Sequence, residues 1–360
     1  MLNEIKIPQG SEDTQKIYEA ERAKVCAKYE ALDEEARKNR ARQIAQLLGI
    51  SEAQWVATSC GPIQSIRLEG TGQSLFDEIG SLGRVMALTR NESCVHERHG
   101  RYEDIRTGGH VGLVLGPDID LRIFFQVWSD VWAVKENDRY SLQFFDREGT
   151  ASHKIYCTAE TDMDAYRALV QKHAAAPQWP QITPIPKETP GDTVDDVEMF
   201  RDSWRAMNDT HDFFPLMRTF NVSRLGALNA AGPELAQSVD IASVDHMLRT
   251  ASEQKMPIMC FVGNRGMIQI HTGPVERIVE RGPWLNVLDP NFNMHLDVSR
   301  IDQVWVVSKP TPEGPVTSLE AYDADGEMIV QYFGQRKEGT PERAEWRDLM
   351  ESYCKEPIAS

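Results

Sequence analysis

Between residues 12 and 48 the apolar positions Ile17, Ala20, Ala27 and Ala31, then Ile44, Leu47 and Leu48, recur at helical spacing among many charges. That pattern predicts helices. Within RKNRARQIAQLLGISEAQWVA, Gly49 ends one helix, and Ser51, with Glu52 in the first turn, starts the next. From residue 85 the pattern changes to short strands punctuated by turns: 85–89, 96–105 broken at Gly100, 109–115, 121–127, 131–134, 141–145 and 153–157. Arg147-Glu148-Gly149 reads as a hairpin turn, and a helix is predicted over 161–173. Sequential strands on short loops imply an antiparallel meander rather than parallel crossovers.

The same order then repeats, with helices predicted over about 194–248, strands over 257–333 and a last helix over 341–353. At a separation of 173 positions, the stretch 85–134 matches 258–307 without a gap. Twelve positions are identical, among them Asn91/Asn264, Gly100/Gly273, Ile105/Ile278, Pro117/Pro290, Val131/Val304 and Trp132/Trp305. SLQFFDREG returns as SLEAYDADG, and LMRTFNVSRLGALN sets Asn221 and Ser223 where Gly49 and Ser51 stand. So long a period is a duplicated domain rather than a solenoid repeat. The expected class is α+β, a tandem duplication whose halves each carry a large antiparallel sheet with flanking helices. AAAPQWPQITPIPKETPGD, with five prolines between Pro177 and Pro190, predicts an extended linker. The expected domains are therefore 1–175, a linker at 176–192, and 193–360.

With 41% hydrophobic and 26% charged residues, the composition is that of a globular protein, and no apolar run is long enough to span a bilayer. The N-terminal MLNEIKIPQGSEDTQ has neither the apolar core nor the cleavage site of a secretory signal, so a cytoplasmic location is expected. Six scattered cysteines without a C-x-x-C argue against structural zinc. No nucleotide-binding glycine motif is present. A net charge of −16 disfavours nucleic acid as a partner. The helices at 37–57 nevertheless have a helix-turn-helix pattern, so a DNA-binding regulator acting through Arg40 and Arg42 is a second reading. A helical hairpin packed on a sheet is the plainer one.

Candidate chemistry gathers in the second half. His211 follows Asn208-Asp209-Thr210, which reads as a helix start, and precedes Phe213, Phe214, Leu216 and Met217. A histidine in such apolar surroundings suits a flat apolar ligand such as haem, although a packed or capping histidine is the ordinary alternative. Its equivalent in the first half is Asn39, so any such site belongs to one copy alone. Lys309, Gln331, Gln335, Arg336 and Lys337 cluster on the C-terminal strands and would suit a ligand bearing carboxylates; solvated strand-end charges are the alternative.

LGRVMALTRNE, VHERHGRYE, GHVGLVLGPDIDLRIF, DTHDFF, PIMCFVGNRGMIQIHTGPVE, GPWLNVLDPNFNMHL, WVVSKPT and FGQRKEG resemble the bacterial haem-utilisation proteins of the HemS, HmuS and ChuS type, in the same order and with the same duplication. The resemblance implies two α+β repeats with one principal haem pocket beside the second. By position, His211 matches the axial ligand to the haem iron. Arg224, Lys309, Gln331 and Arg336 match residues that hold the propionates or line the porphyrin, and Phe333 matches a pocket aromatic. Arg101 is the best match to a distal, catalytic arginine, with Arg90 and Arg106 as competitors. The implied role is haem trafficking, oxidative haem degradation to release iron, or both. A pure chaperone serving a separate haem oxygenase is the alternative. The implied partners are an inner-membrane haem importer and an oxygenase or reductant.

Overall fold

The structure, a computed structural model, describes residues 1–187, 189–337 and 339–358. Eighteen strands among them form two nine-stranded antiparallel sheets, and most of the helices precede or follow the main run of strands in each half. The α+β duplication expected from the sequence is the fold. The chain divides into two compact units: Met1–Arg90 with Glu97–Pro186 and Gly263–Gln269, and Asn91–His96 with Lys187–Val262 and Ile270–Ser360.

The first unit holds a five-stranded antiparallel ladder in the order Ile63–Leu68, Trp128–Glu136, Arg139–Asp146, Ala151–Thr161, Gly83–Arg90. Alternation sorts its side chains onto two faces. Val131, Ala133, Leu142 and Ile155 join the helix Met163–His173 in one core, and Trp132, Val134 and Phe145 join the helices before the sheet in another. The second unit is built likewise from Ala236–Val239, Gln303–Lys309, Val316–Tyr322, Met328–Gly334 and Ile258–Asn264. There Val304 and Val306 face one core, with Trp346 of the last helix, while Trp305 and Val307 face Phe200, Trp204 and Phe213 of the helical layer. Each fully buried large apolar side chain contributes about 1.5–3 kcal/mol.

Matching turns start the helix that packs on each sheet. Gly49 (φ 69°) and Asn221 (φ 47°) both take the left-handed conformation that only glycine and a few polar residues adopt cheaply. Ser51 then accepts from the amide of Gln54, and Ser223 from that of Gly226, at the helix N-termini. The helix-turn-helix pattern is thereby explained without DNA. Ala53, Trp55, Val56 and Ala57 of its second helix are buried, and Glu52 is paired with Lys154 at 2.5 Å. No face of that helix is left to enter a groove.

Two edge strands escaped the sequence pattern. The sequence pattern assigns no element to Ile63–Leu68, and Ala236–Val239 falls where it predicts helix. Each pairs with the tryptophan-bearing strand of its own unit, so tertiary pairing rather than local preference fixes them. The expected strand 121–127 ends at Ile123, and a 3-10 turn takes Phe125–Val127.

His153, fully buried in the first unit, has Nδ1 2.9 Å from the Thr89 hydroxyl and Nε2 2.6 Å from the Tyr102 hydroxyl. Burial lowers its pKa to about 3. The unfolded chain therefore binds one more proton than the native chain between about pH 6.5 and 3, and stability falls as the pH drops through that window. His153→Gln should remove a slope approaching about 1.4 kcal/mol per pH unit from the acid side of the stability curve. Urea midpoints of both proteins between pH 7 and 3 check this, and parallel curves would exclude it.

Candidate functional site

The site in the second unit starts at the helical layer. Asp209 caps a 3-10 turn, Thr210–Asp212, by accepting from the His211 amide at 2.7 Å, and Asp212 accepts in return from the amides of Asn208 and Asp209. This reciprocal capping fixes a turn too short to hold itself. It leaves the His211 side chain 86% exposed, with Nδ1 2.7 Å from Asp209 Oδ1. With Nδ1 committed, Nε2 is the ring nitrogen left for a ligand. The capping amide of His211 is the main cause holding the Asp209 carboxyl below its usual pKa, and Arg336 adds to it from the segment after the last strand.

The aromatic pair that follows divides its labour. Phe213 is buried and meets the Trp204 ring edge-on at 4.5 Å, whereas Phe214 is 53% exposed, three residues beyond His211. Beneath Phe213 lie two cations, the Arg224 guanidinium 5.2 Å and the Lys309 ammonium 5.0 Å from its ring centre.

Both cations converge on a residue the sequence had not singled out. Glu320 is fully buried on the central strand and accepts from Arg224 Nε at 3.0 Å and Nη2 at 2.8 Å. Lys309 Nζ at 3.2 Å, Ser318 Oγ at 2.8 Å, Gln331 Nε2 at 2.5 Å and the Tyr322 hydroxyl complete its shell. Strand register brings them together: Gln331 is the cross-strand partner of Glu320, and Ser318, Glu320 and Tyr322 share a face at alternate positions. Burial alone would raise the Glu320 pKa, but Arg224 and Lys309 overcome it and hold the carboxyl far below its ordinary value. Burial lowers Lys309 to about 8 against the pull of Glu320, so it is mostly charged at neutral pH. Arg224 goes the other way: burial works against its charge, and Glu320 prevails and raises its pKa. Two cations around one carboxylate leave one positive charge in a buried setting, which favours a further anion.

Of the residues expected from the sequence, Arg224, Lys309 and Gln331 meet around Glu320, and His211 is hydrogen-bonded to Asp209, whose carboxyl pKa Arg336 helps to lower. Phe333 lies on the same sheet face but packs on Phe261, with ring centres 5.1 Å apart. Arg101 belongs to the first unit and is exposed just after the strand Cys94–Gly100. Its competitor Arg106 is held by Asp104 through two hydrogen bonds of 2.8 and 2.7 Å. A signal for Glu320 existed, because it replaces Gln143 where SLQFF becomes SLEAY. A charge at an inward strand position calls for partners.

Comparison with known proteins gives this arrangement its context. The haemin-degrading HemS/ChuX domain matches twice, over residues 49–173 and 221–353. The chain belongs to that family. The two family matches begin at Gly49 and Asn221, the left-handed residues of the duplicated turn. The chain is 40% identical over 328 residues to the hemin transport protein HmuS of Yersinia pestis, covering 89% of this chain and 94% of that one. The crystal structure of apo-PhuS, a heme-binding protein from Pseudomonas aeruginosa, matches with TM-score 0.87 at 41% identity, covering 92% and 99% of the two chains. ChuS, a heme degrading enzyme of Escherichia coli O157:H7, matches at 0.84 and 36%, with the same shares covered.

Glu320→Gln leaves Arg224 and Lys309 buried without their counter-charge and should destabilise the chain by about 3–5 kcal/mol. Adding Lys309→Met to that variant should recover part of the loss. Urea unfolding of the single and double variants reads both effects; a single variant as stable as the parent would refute the organising role of Glu320.

Proposed function

We propose that this chain is a cytoplasmic haem-binding protein of haem uptake, with His211 as the axial ligand to the iron. It takes haem from an inner-membrane importer and either passes it to an oxygenase or, with a reductant, takes part in opening the macrocycle. The observation carrying this reading is an exposed histidine whose Nδ1 is held by a carboxylate and whose Nε2 has no protein partner among the described residues. The donor set fits the group: neutral imidazole for iron, exposed Phe214 for the porphyrin, and cations with one charge to spare for a propionate. The names of the relatives, hemin transport, heme-binding and heme degrading, support it. No described helix is long and apolar enough to cross a membrane.

Within this reading His211 supplies the ligand nitrogen, and Asp209 retains the Nδ1 proton. Arg224, Lys309, Gln331 and Arg336 hold the acid groups, while Phe333 lines the pocket. Arg101 would be the catalytic arginine. Bound haem iron supplies oxygen chemistry that the side chains lack.

Haemin titration followed at the Soret band is the test. The wild type should bind, and His211→Ala should weaken binding by at least about tenfold. A wild type that leaves the haemin spectrum unchanged, or a variant that binds as tightly, would overturn the proposal. Ascorbate added to the complex separates the roles: Soret loss with a tetrapyrrole product marks degradation, slowed in Arg101→Ala. A stable spectrum with transfer to an added oxygenase marks carriage.

A further inference from the structure

We propose that Asp209 is a positioning residue for the iron ligand, its charge and not only its cap orienting the His211 imidazole and strengthening Nε2 as a donor. The inference rests on the haem-binding reading above. One oxygen, Asp209 Oδ1, accepts twice from the same residue, from the His211 amide at 2.7 Å and from ring Nδ1 at 2.7 Å. The first bond fixes the backbone of the turn and the second fixes the ring upon it. The ring is thus set before any ligand arrives. Asp212 holds the amides of Asn208 and Asp209, so the backbone that carries Asp209 is itself anchored to the turn.

The chemistry follows from proton bookkeeping. An Nδ1–H donated to a carboxylate fixes the tautomer, exposes the Nε2 lone pair and gives the imidazole partial anionic character. A stronger donor stabilises ferric over ferrous iron and stiffens the iron–nitrogen bond. An ordinary N-cap would do none of this, since its task ends with the backbone amide. The pairing is also confined to one repeat. The position equivalent to His211 is Asn39, whose side chain instead donates to the Ala36 carbonyl at 3.0 Å.

Asp209→Asn is the decisive variant because asparagine caps helices as well as aspartate does, yet carries no charge. Full-length wild type, Asp209→Asn and Asp209→Ala are titrated with haemin, and the iron–histidine stretch of the reduced complex and its reduction potential are recorded. Circular dichroism confirms that each variant is folded. Asp209→Asn should bind roughly 10–100-fold more weakly, with a lower stretching frequency and a higher potential. In a His211→Ala background the same change should have no further effect on affinity. If Asp209→Asn matches the wild type while Asp209→Ala loses affinity, Asp209 is a cap alone and the inference fails; it fails equally if both match the wild type. Failure of the wild type itself to bind haemin would instead remove the haem-binding reading.

Discussion

The second unit depends on placing a carboxylate where water cannot reach it. Glu320 lies fully buried at the middle of the sheet, and such a charge persists only if the fold supplies donors for it. Here the fold supplies them from four directions: a helix start through Arg224, the two neighbouring strands through Lys309 and Gln331, and its own strand through Ser318 and Tyr322. Meeting that requirement fixes the register of three strands and the seat of a helix N-terminus at once. The same requirement leaves a surplus positive charge close to the apolar layer that carries the His211 turn. Fold stability and ligand preference therefore arise from one cluster.

The duplication shows how one scaffold was put to two uses. The backbone devices are retained in both units: a left-handed residue, a serine cap, an inward tryptophan on the strand beside the edge. The polar positions between them are not. The residue after each cap is Glu52 in one unit and Arg224 in the other, the central strand offers Gln143 or Glu320, and the next strand offers Lys154 or Gln331. In the first unit Glu52 and Lys154 answer each other directly at 2.5 Å and leave no surplus charge in that pair. In the second the carboxylate has moved to the centre and gathered two cations. Backbone geometry is costly to change, because it depends on special dihedral angles and close packing. Buried polar groups can be exchanged as sets, provided each set satisfies itself.

Much of this was legible in the order of the residues. The repeat, the antiparallel meander, the turn at Asn221 and Ser223 and the second-half location of the histidine all follow from local patterns: spacing, glycine, caps and identical pairs. The edge strands Ile63–Leu68 and Ala236–Val239 were not, because neither has a strand pattern strong enough to stand without its partner. Arg224, Lys309 and Gln331 were recognisable as members of a site, but their common partner was not. Contact among residues nearly a hundred positions apart is a property of register and not of sequence neighbourhood.

Taken alone, the sequence determined most of the helices and strands, the two edge strands apart, that the domain occurs twice, and which copy bears the imidazole. Those outcomes depend on interactions within a few residues or on direct repetition. Only the tertiary structure decided that Glu320 gathers the cations, that Phe213 is buried while its neighbour Phe214 is not, and that Asp209 holds both the backbone and the ring of His211. Each of these turns on how strands register, how a helix face is seated, or which rotamer a side chain adopts. Such choices are settled by the energy of burying charge and apolar surface together, which no local pattern encodes.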